Sequence, residues 1–331
     1  AKELPEELLG EILKHLWAFE DVRSAGLVCK VWHRVAWSSL VRLPLRKFPA
    51  VLEGNQFQYL LRSSPYTTRL QMPPNTTDNH VCKIGYLLKH LQHLNLRRCR
   101  EISDVGMAYL KNLNLQELFL STSWNISNLD FLTGSVATLQ TLELRGLDLL
   151  TDEAFRSLAS KVKSPFYDVK FLDLRDCNGL TDESFFLVVD LFPNVEELDV
   201  SGCAITIQAI KTFAKLSQLR KLYLWGCSEL TDGALDILST FSKLQGLSTI
   251  ECDLLSDRGL KLLSRSKTLQ WVEVGSLALT NAGIEHLVNI LTLQKLHVIS
   301  PTNNISKEIV QTFMAEKNPT LKLNFAQIAV Q

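Results

Sequence analysis

The chain has 331 residues, 46% of them hydrophobic and 21% charged, which is room for two domains or one large one. Thirty-five basic residues balance thirty-five acidic ones, so no global field draws the chain to nucleic acid or an anionic membrane, and neither is an expected partner. The seven cysteines contain no CxxC pair and no zinc-ligand spacing, which argues against a metal site and against a disulfide framework.

The first predicted element opens at Leu4-Pro5-Glu6-Glu7-Leu8-Leu9, a helix with Leu9, Ile12, Leu13 and Leu16 on one stripe. Glu7, Glu11, Lys14 and His15 interrupt its apolar run, so it is not a signal peptide. No apolar stretch anywhere approaches the roughly 20 residues of a membrane span, and a cytoplasmic or nuclear location is expected. A second apolar stretch, Val22 to Val28, leads into Val28-Cys29-Lys30-Val31-Trp32 and then Val35-Ala36. Three helices in about 40 residues sit near the limit for folding alone, so this segment should gain stability from a partner or from the rest of the chain.

From residue 40 onward a different pattern takes over. L-x-x-L-x-L stretches recur at Leu91/Leu94/Leu96, Leu115/Leu118/Leu120, Leu139/Leu142/Leu144 and Val169/Leu172/Leu174. They continue at Val195/Leu198/Val200, Leu219/Leu222/Leu224, Leu244/Leu247/Thr249, Leu269/Val272/Val274 and Leu293/Leu296/Val298. Weaker copies stand at Leu40/Leu43/Leu45 and Thr67/Leu70/Met72, and successive starts lie 24 to 30 residues apart. In a strand, alternate side chains face opposite ways, so each copy buries its leucines and displays the residues between them. One unit buries too little surface alone; stacked units share a continuous core. The longest interval contains Pro165, which is expected to end a helix and leave a longer loop.

A second signature follows most strands: Ile102-Ser-Asp104, Leu150-Thr-Asp152, Leu180-Thr-Asp182, Leu230-Thr-Asp232 and Leu255-Ser-Asp257, with Leu279-Thr-Asn281 a looser copy. Ser or Thr suits a helix N-cap, and the acid after it suits the positive end of the helix dipole. Cys99, Cys177, Cys203, Cys227 and Cys252 each stand three residues past the last apolar strand position, which predicts a row of packed thiols. The fold class is therefore α/β, a leucine-rich-repeat solenoid of about ten to eleven repeats of roughly 24–26 residues. The final stretch, Leu321 to Gln331, suits a capping strand.

The motif L-P-x-E-L-L-x-x-I-L-x-x-L followed by V-C-K-x-W resembles the F-box, and the five regularly placed cysteines resemble cysteine-containing leucine-rich repeats. In this order the two are similar to the F-box/leucine-rich-repeat family, substrate receptors of SCF-type ubiquitin ligases. The resemblance implies a right-handed horseshoe solenoid over residues 46–331 behind a three-helix F-box over residues 1–45. It implies docking on a Skp adaptor, itself held by a cullin–RING ligase, through Leu4, Pro5, Leu8, Leu9, Ile12, Leu13, Leu16, Val28, Cys29 and Trp32. The same residues also suit the core of the F-box itself. The chain would then be a non-catalytic adaptor, and a scaffold that binds Skp without directing ubiquitin transfer would need the same docking residues.

A protein substrate would lie along the concave sheet, whose exposed positions include Phe119, Arg145, Phe171, Arg175, Tyr223, Trp225 and Trp271. Acids recur at the middle of the strands, as in Glu143, Asp173, Asp199 and Glu273. Aromatic area gathers towards the C-terminal half, as at interface hot spots; the same rings could instead pack on one another over the sheet. The basic residues are scattered among acids, so no polyanionic cofactor is expected. No phosphate loop, metal motif or nucleophile elbow appears, and the histidines are dispersed.

Overall fold

A computed structural model of the chain describes residues 35–36, 41–47, 55–123, 125–300 and 304–327. The candidate adaptor-docking residues between Leu4 and Trp32 lie outside these. The chain forms two compact units, Ala1–Glu143 and Leu144–Gln331.

Short strands fall on each predicted L-x-x-L-x-L stretch. They are β1 (Arg42–Pro44), β2 (Arg69–Gln71), β3 (His93–Arg97), β4 (Glu117–Ser121), β5 (Thr141–Arg145) and β6 (Phe171–Asp173). Then follow β7 (Glu197–Asp199), β8 (Lys221–Tyr223), β9 (Gly246–Ile250), β10 (Trp271–Gly275) and β11 (Lys295–Ser300). A last strand, β12 (Lys322–Gln327), occupies the stretch expected to cap the sheet. In the first unit β1 to β4 pair in chain order, all parallel. In the second, β6 to β12 do the same. β1 thus places Arg42–Pro44, inside the segment 1–45, in the repeat sheet already.

Between strands run α1 (Gln56–Ser63), α2 (Asp78–Leu87), α3 (Asp104–Met107), α4 (Asp152–Lys161) and α5 (Asp182–Leu191). After them come α6 (Ile207–Phe213), α7 (Asp232–Leu238), α8 (Asp257–Leu263), α9 (Asn281–Val288) and α10 (Lys307–Lys317). The leucines of the strand motif, such as Leu198, Leu222 and Leu247, are fully buried, so each repeat closes its core with its neighbours. Between β4 and β5 a 3-10 segment, Asp130–Ser135, replaces the helix. Pro165 does not end α4, which stops at Lys161. Instead the extra residues form a loop pinned by Phe166, whose buried ring stacks on Phe192 at 5.0 Å.

Two rows hold the turns together. After the strand the backbone takes a positive φ, between 54 and 73°, at Arg98, Thr122, Gly146, Asp176, Gly202, Gly226 and Glu251. At Arg98, Gly146, Asp176, Gly202, Gly226 and Glu251 the amide donates to the next repeat, as from Gly202 to the Trp225 carbonyl at 2.7 Å. Glycine adopts this turn freely, whereas a side chain costs about 1–2 kcal/mol. The cysteine comes next, and its thiol donates back to the preceding repeat: Cys177 to the Leu144 carbonyl (2.9 Å), Cys203 to Leu174 (3.2 Å), Cys227 to Val200 (3.4 Å) and Cys252 to Leu224 (3.0 Å). Burial pushes Cys99 up to about 11 and Cys177 and Cys252 up to about 12. Cys203 and Cys227 are raised for the same reason.

The second row adds to the reading of the acid after the N-cap, which stands in the first turn of its helix as expected. Its carboxylate serves the next repeat as well as its own helix. Asp182 accepts from the Thr206 amide and hydroxyl at 2.9 and 2.6 Å. Asp232 does so from Ser256 at 2.8 and 2.7 Å, and Asp257 from Thr280 at 2.9 and 2.6 Å. Asp78 and Asp152 hold Ser103 and Thr181 in the same way. The small residue two places on makes room for this carboxylate: a Cβ on Gly259 would lie 2.4 Å from Asp232 Oδ1. The row breaks once within the second unit, where Ile207 stands in the acid's place and no hydrogen bond reaches the Thr231 side chain as a cap.

Candidate protein-binding face

The residues that alternate with the buried leucines stand in registered rows. In the second unit one row is Phe171, Glu197, Lys221, Gly246, Trp271, Lys295 and Lys322. The row beside it is Asp173, Asp199, Tyr223, Ser248, Glu273, His297 and Asn324. Small residues on β9 open a gap in both. Trp271 lays its indole across Gly246, where a Cβ would come within 2.0 Å of the ring. Its ring thereby reaches Tyr223 two strands away, with centroids 5.5 Å apart and planes at 38°. Tyr223 donates to Glu197 Oε1 at 3.1 Å, and Lys221 holds the other carboxylate oxygen at 2.9 Å. Burial, then Glu197, raises the Tyr223 phenol above its ordinary range, so it stays a neutral donor.

Trp225 stands apart from that pair, on the turn after β8, with 51% of its surface exposed. Its amide is held by Ser201 Oγ at 3.1 Å, which fixes the backbone under an exposed ring. Phe171 is half-buried at the first position of its row.

Three of the four acids at mid-strand are not displayed as their position in the motif predicts, and only Glu273 is half-exposed. Glu143, Asp173 and Asp199 are all buried, each beneath an arginine. Arg175 folds back on Asp173, at 3.0 and 2.6 Å, and lies 3.1 Å from Asp199 Oδ2. Burial pushes the Asp199 carboxyl up to about 6, helped by the charge of Asp173 and opposed by Ser201 and Arg175. Arg145 is exposed and pairs with Asp176 at 3.1 Å. Arg175 therefore closes a lattice of charge over the sheet, while Arg145 stays at its solvent edge.

In the first unit Arg97 makes a two-pronged pair with Glu143 and lies over the Phe119 ring, 4.5 Å from its centroid. Phe119 therefore has one partner already and borders a groove of about 260 Å³ that also involves Arg42, Arg69 and His93. Sequence reasoning missed Gly246 and Ser248, whose smallness lets the two rings meet, and missed the arginine pair of β1 and β2. Among the described residues no three His, Cys, Asp or Glu side chains are grouped to hold a metal ion, and no helix is long and apolar enough to cross a membrane.

Comparison with known proteins separates the two halves of the sequence. Residues 1–43 match the F-box-like family, and residues 88–111 match a leucine-rich-repeat family. An F-box-like match ahead of a leucine-rich-repeat match is consistent with the F-box/leucine-rich-repeat family. A putative F-box/LRR-repeat protein 23 of Arabidopsis thaliana is 27% identical over 215 residues, covering 61% of this chain and 47% of that protein. The F-box protein SKIP19 of the same plant is 27% identical, covering 61% of this chain and 68% of its own length. The chain thus spans about half the length of the first of these F-box/leucine-rich-repeat relatives. In fold it resembles a chain of the yeast Rad7–Elc1 complex, at 18% identity and a TM-score of 0.53, over 98% of both chains.

Proposed function

We propose that this F-box/leucine-rich-repeat chain is the substrate-receiving subunit of an SCF-type ubiquitin ligase. The observation that carries the reading is the presence, in one chain, of an F-box-like match at 1–43 and a leucine-rich-repeat fold after it. On this reading residues 1–45 dock a Skp adaptor and, through it, a cullin–RING ligase, with Pro5 and Trp32 as rigid anchors that lose little entropy on burial. Residues 46–331 hold a protein substrate on the strand face, so that a separate conjugating enzyme transfers ubiquitin and the substrate goes to the proteasome. The chain contributes geometry and no chemistry. It works in the cytoplasm or the nucleus.

The strand face of the second unit supports a protein ligand. Trp225 offers exposed aromatic area on the turn after β8, apart from the Tyr223–Trp271 pair, and such rings give large contact area at low entropic cost. A charge lattice surrounds them in which each acid has a partner, so docking an apolar segment leaves no buried carboxylate unpaired.

The test is a pull-down from cells with wild type and a Pro5→Ala/Trp32→Ala double variant. Wild type should bring down Skp and cullin, and the double variant neither. Proteins that associate with the repeats and rise in abundance when the chain is removed are its substrates. Equal recovery of Skp by both forms would overturn the docking assignment, and bound proteins whose ubiquitination and abundance ignore the chain would leave a scaffold instead.

A further inference from the structure

Arg42 and Arg69 stand directly opposite one another on β1 and β2. Both are exposed, and among the described residues neither has an acidic side chain within ion-pair distance. Adjacent strands lie about 4.8 Å apart, and like charges directly opposite on a sheet destabilise it. Elsewhere on the face of this unit Arg97 has its acid, Glu143. His93 Nδ1 lies 2.6 Å from Glu117 Oε2 at the far side of the groove, a contact that is ionic only with a protonated imidazole. Two cations side by side with no acid paired to them among the described residues therefore stand out on this face.

The groove they border supplies what a ligand would need. Its cavity of about 260 Å³ is of side-chain size, with Pro44 and Phe119 as half-buried apolar walls. Asn95 turns its side-chain oxygen to the Arg97 amide at 3.1 Å. Its NH2 group, which makes no hydrogen bond among the described residues, is left as a further donor. Guanidinium forks match the two oxygens of a carboxylate.

We propose that this groove receives an Asp or Glu side chain from an acidic peptide segment, clamped between Arg42 and Arg69, with a neighbouring apolar residue against Pro44 and Phe119. The assignment rests on the receptor reading only in taking the strand face as the place where a protein lies; it adds the chemical class of the segment held. Two charges suit a carboxylate, whereas a polyphosphate would need more cations than this groove holds.

The experiment uses the full chain as bait for a phage-displayed library of random peptides. Bound peptides, labelled with fluorescein, are then titrated by anisotropy against wild type, Arg42→Gln/Arg69→Gln and Arg42→Lys/Arg69→Lys. The selected peptides should be rich in Asp and Glu beside an apolar residue. Replacing their acids with Gln, or both arginines with Gln, should weaken binding roughly tenfold or more, and raised NaCl should weaken wild type most. The lysine variant, which keeps charge and loses the fork, should fall between. Both arginines are exposed, and removing opposed like charges should leave the urea midpoint equal or higher, so a midpoint that does not fall separates lost binding from lost folding. Selected peptides without acids, no selected peptide at all, or equal affinity for the glutamine variant overturns the assignment. Because no Skp or cullin enters this measurement, failure of the ligase reading leaves its result standing. Conversely, if the glutamine variant binds acidic peptides normally while Trp225→Ala/Trp271→Ala abolishes protein capture, the groove assignment falls and the receptor reading survives.

Discussion

The turns beside the helices and the open face of the strands are built from the same repeats, yet they treat sequence differently. At the turns the same two devices recur: a thiol bonded to the previous repeat and an acid that caps the next one. On the strand face no row keeps one residue type; Phe171, Glu197, Lys221, Gly246 and Trp271 share a single register line. What recurs joins repeat to repeat, and what varies is left to recognise something else. A substitution at the turns should therefore be read in stability, and one on the face in binding.

Removing a rung of the acid row should have the largest effect. Asp232→Ala leaves the Ser256 amide and hydroxyl without their shared acceptor, at a cost of about 2–4 kcal/mol for two bonds to a charged group. Urea unfolding should show it, with protein capture unaffected under native conditions. If Asp232→Ala instead lost capture at full stability, the division between turn and face would be wrong. Gly246→Val tests the other side. Its side chain would occupy the space of the Trp271 ring, expel the indole from Tyr223 and cost about 1–3 kcal/mol as overpacking does. Capture by the second unit should fall far more than stability, as a pull-down alongside a urea curve would show.

Asp199 sharpens the comparison, because it belongs to the face by position and to the core by burial. Its folded carboxyl sits at about 6, above the ordinary carboxylate value. Between those two values the folded state holds the proton and the unfolded state has lost it. Its contribution to stability therefore falls as pH rises through that window and is level above it. In Asp199→Asn that fall disappears. From pH 4.5 to pH 7 the stability difference should shift towards the variant by on the order of 2 kcal/mol, read from urea midpoints. A parallel pH dependence in both proteins would place Asp199 at the surface after all. The smallest effect is a gain. Ile207→Asp supplies the missing rung and gives the Thr231 amide and hydroxyl an acceptor, for about 0.5–1 kcal/mol of added stability. No rise in the thermal midpoint would mean that the row contributes nothing beyond its own helices.

The architecture was legible because burial with period two leaves its mark on leucine spacing, and each strand from β1 to β11 falls on such a stretch. The N-caps were legible for a similar reason, since Ser or Thr before an acid has few other uses. The fate of Glu143, Asp173 and Asp199 was not. Alternation tells which way a side chain leaves the sheet, not whether an arginine 46 residues away, as Arg97 is from Glu143, will fold over it. Nor does it tell that Gly246 leaves a space which Trp271 fills from the next strand. The acid after each cap was assigned to its own helix because the helix dipole is a local effect, whereas its second partner lies 23 to 29 residues on in most repeats. The docking residues from Leu4 to Trp32 were proposed from motif resemblance, and the structure describes none of them.

The five thiols buried among the described residues also give the chain a built-in clock. A thiol reacts as its thiolate, and with burial pushing Cys99 to about 11 and Cys177 and Cys252 to about 12, almost none of that form exists in the closed repeat at neutral pH. Alkylation must then wait until a repeat opens. Because the cysteines are distributed from residue 99 to residue 252, the order in which a mild alkylating reagent marks them would report which repeats part first, without any label being introduced.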